Sequence, residues 1–280
     1  MFGSSPEICY PFSMKLHIGH VEPHAALLRV PPDGRHLYKV MKAEHAMASI
    51  ASGYLHFNRV DRYVDFHGAD PYDGAQLPED LAANQAMAFA SARTWTLADY
   101  YDQARERTFA CCFSLRNSEH IWREYAQGAE RGKIGMIFDF TRLRERLNAT
   151  LNGARLQLAN GEFADQIFSV NYGEIEYIDR TSFRANRELM QNPIIYTFMK
   201  EEKYKPENEM RIALSALGIG RFVLRDGSQL IFPDSLQLDF DFRAAIRDGT
   251  IAGFEYDRGG DSNWFKTELT KLGITAVGGV

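Results

Sequence analysis

The most constraining stretch of this chain is a highly charged segment that passes, within residues 200–214, into an apolar alternation. This pattern predicts a helix, a turn near Pro206 and then a strand. Glu207 and Glu209 stand two residues apart where that strand is expected to begin. Because residues i and i+2 of a strand point to the same face, both carboxylates are predicted to project together beside Arg211. Like charges held side by side repel each other, so the pattern indicates a site with compensating groups.

The composition is that of an ordinary soluble globular protein. Of the 280 residues, 45% are hydrophobic and 25% are charged, which is enough apolar sequence to bury a sizeable core. The net charge of -5 gives no overall attraction to nucleic acid or to an anionic membrane. The three cysteines, Cys9, Cys111 and Cys112, form no zinc-ligand spacing, and their odd number favours a reducing compartment. No signal-peptide pattern or membrane-length apolar run occurs, so we expect a cytoplasmic protein without a membrane partner.

Short helices and short strands are predicted to interleave along the chain, which favours the α+β class over a doubly wound sheet. Strands are expected at residues 36–40, 54–57, 108–113, 134–140, 167–172, 174–177 and 207–214, with a hairpin formed by 221–224 and 228–231. Helices are expected within residues 79–107, at 42–51, 119–127, 141–153, 182–191, 196–203 and 242–247, and after Asp261 or Ser262.

We divide the sequence into an N-terminal arm, residues 1–35, packed on a single α+β domain, residues 36–280. The arm is rich in proline and has no sustained periodicity. A long polar loop at residues 58–78 is of the kind that is usually functional or disordered in a compact domain. The alanine-rich helical segment near residues 79–107 is interpreted as an insertion.

The predicted strand ends carry polar side chains, and each of them also has a plain structural explanation. A lysine such as Lys39 is usually exposed to solvent. A serine such as Ser114 commonly satisfies a nearby backbone group at the end of a strand. Glu207 and Glu209 with Arg211 would form a surface ion-pair ladder that contributes at most about 1 kcal/mol.

Other residue types narrow the chemistry further. Ile121, Trp122 and Tyr125 recur at helical spacing, for which a core-facing stripe is the default interpretation. The eight histidines are scattered and form no recognisable metal-ligand motif. The sequence also lacks a glycine-rich phosphate loop, a nucleophile elbow and a zinc-protease helix. These absences argue against P-loop phosphoryl transfer and serine hydrolysis.

The order of the short motifs resembles that of a widespread bacterial family described only as a domain of unknown function. The matching segments are Tyr38-Lys39, Asp70-Pro71-Tyr72-Asp73, Cys112-Phe113-Ser114, Trp122-Arg123-Glu124-Tyr125-Ala126 and Glu207-Asn208-Glu209-Met210-Arg211-Ile212. The likeness runs from about residue 36 to residue 215. Val40-Met41 stands where the family has Tyr-Arg, which removes one basic group, and the Asp-Pro loop lies farther from its strand than usual.

The same motif order is similar to that of ADP-ribosyltransferases. Those enzymes have a basic residue on an early strand, a serine, threonine or tyrosine element on a middle strand and a late glutamate, often as Glu-x-Glu. The resemblance implies a mixed, mainly antiparallel split sheet flanked by short helices, with NAD as the substrate.

The resemblance also implies roles for individual side chains. Glu209 would bind the ribose hydroxyls and stabilise the oxocarbenium-like transition state, while Glu207 would orient or deprotonate the acceptor. Lys39 would neutralise the pyrophosphate. Ser114 would hold the glutamate or the ribose, Tyr38, Trp122 or Tyr125 would stack on nicotinamide, and Arg211 is counted with the NAD-binding residues.

Three functional hypotheses follow. The first is an NAD-dependent ADP-ribosyltransferase that acts as an intracellular toxin or phage-defence effector, with a protein or nucleic-acid acceptor and an antitoxin or immunity protein as a further partner. Nucleic acid would need a basic strip such as the helix at Arg142 to Arg146. The second is a non-catalytic sensor that binds a ligand or partner, which the missing basic residue near Met41 favours. The third is a metal-dependent nuclease that uses Glu207, Glu209 and the loop of Asp70 and Asp73.

Overall fold

The computed structural model describes residues 19–65, 68–89, 92–153, 155–157, 163–165, 167–183, 192–216, 229–257 and 261–274. Its strands are β1 (His36–Lys42), β2 (Tyr54–Arg59), β3 (Ala88–Phe89), β4 (Ala92–Thr96), β5 (Thr108–Ser114), β6 (Lys133–Asp139), β7 (Arg155–Gln157), β8 (Phe163–Asp165), β9 (Ser169–Glu174), β10 (Glu176–Ile178), β11 (Met199–Glu201), β12 (Glu209–Ser215), β13 (Ser235–Asp239) and β14 (Ile251–Tyr256). Its helices are α1 (Ala43–Ser52), α2 (Pro78–Gln85), α3 (Leu97–Arg105), α4 (Glu119–Glu124), α5 (Phe140–Gly153), α6 (Phe242–Arg247) and α7 (Ser262–Lys271). Short 3-10 helices include Ala25–Leu27, Val60–Asp65, Pro193–Phe198 and Glu202–Glu207.

Eight of these strands join in one sheet whose pairings are all antiparallel, and the sheet forks at β5. Along one edge, β12 pairs with every residue of β5, and β9 continues the sheet beyond β12. On the other edge, β2 pairs with β5 near its start and β1 pairs with its last residue. Within the described chain, residues 111–113 therefore have no strand partner on that edge. We call this opening between β1 and β5 the fork.

The two faces of the sheet have different chemistry, as the period of two along a strand requires. On β12, Met210, Ile212 and Leu214 point into the main hydrophobic core. That core also holds the buried leucines of α5, among them Leu143 and Leu147. The alternate residues of β12, which are Glu209, Arg211, Ala213 and Ser215, face the opposite side and are also buried.

A second layer covers this polar face. It contains a smaller hydrophobic cluster that joins Leu77 and Tyr101 to the 3-10 helix Pro193–Phe198 and to Met199 of β11. Because this layer consists of irregular segments and short helices, it can bring polar groups from many parts of the chain onto the sheet.

The described part of the N-terminal arm, residues 19–35, lies along β9. Val21 forms a parallel bridge with Val170, and Glu22 pairs with Arg144 and accepts a hydrogen bond from Asn148 on α5. Among the described residues, no helix is both long and apolar enough to cross a lipid bilayer.

The expected α+β class with a mainly antiparallel sheet is confirmed. So are the predicted elements that correspond to β1, α1, β2, β5, β6, α5, α6 and α7. Gly53 ends α1 in a left-handed conformation (φ 71°), and Asp261 caps α7 by accepting a hydrogen bond from the backbone nitrogen of Trp264. Strong local signals of this kind identify element ends directly.

The prediction that residues 79–107 are helical holds for α2 and α3 but is wrong between them, where β3 and β4 form a hairpin. The sequence contains the signal for this break. Thr96 caps α3, and its side chain and that of Asp99 form reciprocal hydrogen bonds with each other's backbone nitrogen. The helix predicted at residues 119–127 is also shorter, since Tyr125 is extended and Ala126 has a φ of 56°.

The helix predicted at residues 196–203 is wrong as well. The 3-10 helix Pro193–Phe198 leads into β11, which pairs in parallel with β10, so long-range pairing overrides the local helical preference.

The break predicted at Gly173 is also wrong, because β9 runs through this residue. A Cβ atom there would lie 2.8 Å from Cδ1 of Phe198, so glycine is needed for close packing. Most of the helix predicted at 182–191, and the first strand of the hairpin predicted at 221–231, lie outside the described residues.

Gly74 sits at a tight contact beside the acidic residue Asp73. Its φ is 68°, and a Cβ atom would lie only 2.5 Å from Cγ1 of the buried Val60. We expect Gly74→Ala to lower the free energy of unfolding by about 2–4 kcal/mol, since backbone strain and overpacking add. Gly34 is the matched control, because its φ of 71° is similar and a Cβ atom there meets nothing within 4 Å. For Gly34→Ala, urea unfolding should show a loss of only about 1–2 kcal/mol in the free energy of unfolding. Equal losses would contradict the packing argument.

Candidate functional site

Three of the sequence-predicted site residues stand side by side across the sheet. Ser114 at the end of β5 is the register partner of Tyr38 on β1 and of Glu209 on β12. Directly opposed residues of neighbouring strands point to the same face, so the three side chains share the polar face at the fork. The structure therefore brings together residues that are far apart in the sequence.

Glu207 reaches the same place by a different route from the one predicted. It is the last residue of the 3-10 helix Glu202–Glu207, whereas β12 begins only at Glu209. Asn208 between them has a left-handed backbone (φ 45°), so the alternation of a strand does not relate the two glutamates. Their carboxylates nevertheless meet at one cation, because Nζ of Lys200 lies 2.5 Å from Oε2 of Glu207 and 3.1 Å from Oε2 of Glu209.

Arg211 completes this arrangement from the next same-face position of β12. Its Nε donates to Oε1 of Glu209 at 2.5 Å, and its Nη1 and Nη2 bind the two carboxylate oxygens of Asp73, the second at 2.8 Å. Nη1 also donates to the carbonyl oxygen of Thr197 at 2.7 Å. Arg211 is fully buried, so its guanidinium holds protein groups together rather than facing a ligand.

We call Lys200, Glu207, Glu209, Arg211 and Asp73 the charge cluster. All five side chains are at least nine-tenths buried. The sequence prediction included neither Lys200 nor the contact between Asp73 and Arg211. Lys200 was visible only as one charge among several in its segment, and Asp73 is 138 positions from Arg211 along the chain. A long-range ion pair leaves no local periodic signal.

The carboxyl groups of the charge cluster have pKa values that are shifted in different directions. Burial, then repulsion from Glu209, raises the pKa of Glu207 to about 7, although Lys200 opposes that shift. Burial also favours the neutral form of Glu209, but Arg211 and Lys200 outweigh it and hold its pKa well below the usual range. Burial raises the pKa of Asp73, and its contact with Arg211 opposes the shift. Glu207 therefore changes charge near neutral pH.

The raised pKa of Glu207 predicts a pH-dependent cost to stability. Because the folded-state pKa lies above the ordinary value of 4.5, the unfolding free energy falls as pH rises from about 4.5 to about 7. Glu207→Gln removes this ionisation while it keeps the shape of the side chain. At pH 8 we expect the variant to be more stable than the wild type by roughly 1–3 kcal/mol, and at pH 4.5 to show no gain. Denaturant unfolding at the two pH values measures this, and an equal effect at both would contradict it.

A small pocket of about 140 Å³ occupies the fork. We call it the fork pocket; its lining residues are Tyr38, Lys39, Val40, Cys112, Phe113, Ser114, Ile121 and Tyr125. Nζ of Lys39 donates to the carbonyl oxygen of Cys112 at 3.0 Å and lies 5.1 Å from the centroid of the Phe113 ring. Lys39 thus satisfies the backbone carbonyl group of Cys112 in the opening between β1 and β5, and it also adds a positive charge to the lining of the pocket.

The fork pocket touches the charge cluster through its lining side chains. The side chain of Tyr125 lies close enough to the carboxylate of Glu207 to oppose the rise in the pKa of Glu207. Burial, and then the nearby charge of Glu209, raises the pKa of the Cys112 thiol, so it remains neutral. Oγ of Ser114 lies 2.7 Å from the backbone carbonyl oxygen of Glu207. The carboxylates themselves do not line the pocket and act on it through these neighbours.

Trp122, a predicted stacking partner for nicotinamide, lies outside the fork pocket. Its indole packs on Gly135 of β6, where a Cβ atom would come within 2.8 Å of the ring, and its Nε1 donates to Oδ1 of Asn117 at 2.7 Å. Geometry thus separates Trp122 from Tyr38, Lys39, Ser114 and Tyr125.

The basic helix α5 offers less free charge than its sequence suggests. Arg144 is paired with Glu22, and Arg146 is paired with Asp248. Within the described residues, no group of three or more histidine, cysteine, aspartate or glutamate side chains is arranged to hold a metal ion. Three of the acidic side chains considered for a nuclease are bound by buried cations, since Arg211 binds Asp73 and Glu209 and Lys200 binds Glu207.

Comparison of the chain with protein-family models, with curated proteins and with solved structures found no match. The fold and site define a mixed α+β protein whose mainly antiparallel sheet carries a buried charge cluster next to a pocket.

Proposed function

We propose that the protein is an NAD-dependent ADP-ribosyltransferase. The observation that carries this proposal is the register at the fork, where Tyr38, Ser114 and Glu209 stand side by side on β1, β5 and β12. Lys39 lies on the same opening. A hydroxyl and a late glutamate thus stand side by side on neighbouring strands, and the basic residue Lys39 lines the pocket next to them, which supports the proposal based on the motif order.

The chemistry suits a buried anion. Transfer from NAD breaks the bond between nicotinamide and ribose through a state that carries positive charge on the sugar. Glu209 stays ionised because Arg211 and Lys200 hold its pKa low, so it offers a fixed negative charge in a site of low dielectric constant. Lys39 supplies a positive charge for the pyrophosphate. Glu207, with a pKa of about 7, can take the proton of the acceptor.

The size of the fork pocket sets a requirement on binding. Its volume of about 140 Å³ is below the roughly 300–1,000 Å³ of pockets that enclose drug-sized ligands. NAD therefore has to widen the fork for the ribose to reach Glu209. Moving β1 away from β5 breaks the single paired position at Tyr38 and Ser114 and the contact of Lys39 with Cys112. The remaining pairings of β5 are undisturbed.

A second candidate function is a non-catalytic sensor that binds a small ligand or partner at the fork. It is favoured by the state of Glu209, whose two carboxylate oxygens already receive hydrogen bonds from Arg211 and Lys200. In that case the charge cluster is a structural support for the fork pocket.

A single experiment separates the two functions. The purified protein is incubated with NAD labelled in its adenosine part, and nicotinamide release and label transfer to added protein and RNA are measured. We expect Glu209→Gln to reduce turnover by about 100-fold or more, as for loss of a charge-stabilising group. Glu202→Gln is the matched control, because this carboxylate is exposed in the same segment. Unchanged turnover in Glu209→Gln would overturn the catalytic assignment, and binding of NAD without turnover would favour the sensor.

The proposal extends to a biological role as an intracellular toxin or phage-defence effector, held in check by an antitoxin or immunity protein. Controlled expression in a bacterial host tests this role. We expect the wild type to arrest growth and Glu209→Gln to be tolerated. Equal toxicity of the two proteins would contradict a role based on this activity.

A further inference from the structure

Tyr125 occupies a position that joins the fork pocket to the charge cluster. Its side chain lines the pocket, and it lies close enough to Glu207 to favour the ionised form of that carboxylate. The backbone favours this placement, because α4 ends at Glu124 and the chain turns sharply at Ala126, whose φ of 56° is unusual for a residue other than glycine. Helix α4 also packs against the 3-10 helix that ends at Glu207.

Glu207 is surrounded by groups from several elements. Lys200 of β11 contacts its carboxylate, and Glu209 of β12 repels it. Tyr177 of β10 and Tyr125 lie close enough to interact with it electrostatically. Its residue exposure is only 7%. A ligand in the fork pocket therefore meets the hydroxyl of Tyr125 before it can meet the carboxylate of Glu207.

We infer that Tyr125 is a catalytic residue of this site, through which Glu207 exchanges a proton with the acceptor bound in the fork pocket. The inference deepens the proposed function and rests on it. It replaces the stacking role predicted for Tyr125 with a role for its hydroxyl.

The proton transfer balances as follows. The acceptor hydroxyl gives its proton to the oxygen of Tyr125, while the hydroxyl proton of Tyr125 moves to the carboxylate of Glu207. The acceptor oxygen forms a bond to the anomeric carbon of the ribose. The bond from that carbon to nicotinamide breaks, and its electron pair leaves with the neutral nicotinamide. Glu207 then releases the proton to solvent, which restores the starting state.

Cys112 is the alternative link, since it lines the fork pocket and lies close enough to Glu209 to interact with its charge. Cys112 is less suited than Tyr125 to proton exchange. Arg211 and Lys200 keep Glu209 ionised, so Glu209 does not hold a proton near neutral pH. Glu207 changes its protonation in that range and therefore matches the requirement for a general base.

The test compares wild type, Tyr125→Phe and the control Tyr54→Phe in the NAD assay over a range of pH. Tyr54 begins β2 and lies outside the fork pocket. In the wild type we expect kcat to rise as pH passes through about 7, because Glu207 must be ionised to accept the proton. We expect Tyr125→Phe to reduce kcat roughly 100-fold, to flatten this rise and to leave KM for NAD within a few fold. Tyr54→Phe should keep both the rate and the profile.

A second measurement is independent of turnover. Carbon-13 NMR of labelled glutamate carboxyl groups, assigned with Glu207→Gln, follows the titration of Glu207. We expect Tyr125→Phe to raise its midpoint, because the nearby hydroxyl of Tyr125 favours the ionised form. If the wild type consumes no NAD, the proposed function fails. If turnover is present but Tyr125→Phe keeps the wild-type rate and profile, or if the NMR midpoint does not move, the inference about Tyr125 fails.

Discussion

Replacing Lys200 with methionine is expected to lower the free energy of unfolding by about 3–5 kcal/mol at pH 8, because it leaves buried carboxylates without their shared cation. Nζ of Lys200 contacts both Glu207 and Glu209. The expected loss is a large fraction of the roughly 5–15 kcal/mol by which a domain is stable. Urea unfolding at fixed pH measures it.

The matched control for Lys200→Met is Lys203→Met. Lys203 belongs to the same segment and pairs with Glu201, but its side chain is 61% exposed. Its replacement should cost less than about 1 kcal/mol. The double variant Lys200→Met with Glu207→Gln should recover part of the loss, since it also removes one of the carboxylates that Lys200 contacts. Equal costs for the two lysine variants would contradict the importance of the shared cation.

Replacing Arg211 with methionine is expected to cost about 3–5 kcal/mol as well, because Glu209, Asp73 and the carbonyl of Thr197 all lose a buried donor. Arg62 is the matched control, since it pairs with Asp234 at a side-chain exposure of 46%. Arg62→Met should cost less than about 1 kcal/mol.

A double-mutant cycle tests whether Arg211 and Asp73 act together. Asp73→Asn alone weakens the bidentate contact, and the combined variant should cost less than the sum of the two single variants. Strict additivity would mean that the pair is not coupled in the folded protein. The far-ultraviolet circular dichroism of each variant checks that the comparison is made on folded protein.

Local patterns predicted much of the sheet because its signals lie within a few residues. The alternation of Met210, Ile212 and Leu214 marks β12, and Gly53 and Asp261 mark the ends of helices. The α+β class and the mainly antiparallel sheet can be predicted from such short strands. The pairing of β5 with three neighbours does not, since no local pattern specifies which strands meet.

The residues of the candidate site divide in the same way, into those that a local pattern predicts and those that only tertiary contacts bring to the site. Glu207, Glu209 and Arg211 stood out in the sequence because they are close together in it. Lys200 gained its role only through β11, a strand of three residues that exists because β10 pairs with it. Asp73 arrives from a loop whose position depends on tertiary packing, so its partner was outside the reach of sequence reasoning.

The fork gives the sheet a mechanical character of its own. The strands β1, β6 and β14 form one wing and β2 and β13 form another, and both wings join β5 on the same edge. The first wing is attached to β5 through one register position, whereas β12 holds the opposite edge over seven. Strand β5 is therefore paired along its whole length with β12 and at one position with the first wing, so little strand pairing resists opening of the fork pocket. The resistance comes instead from the main core, in which Phe113 of β5 packs against Phe138 of β6 with ring centroids 5.4 Å apart.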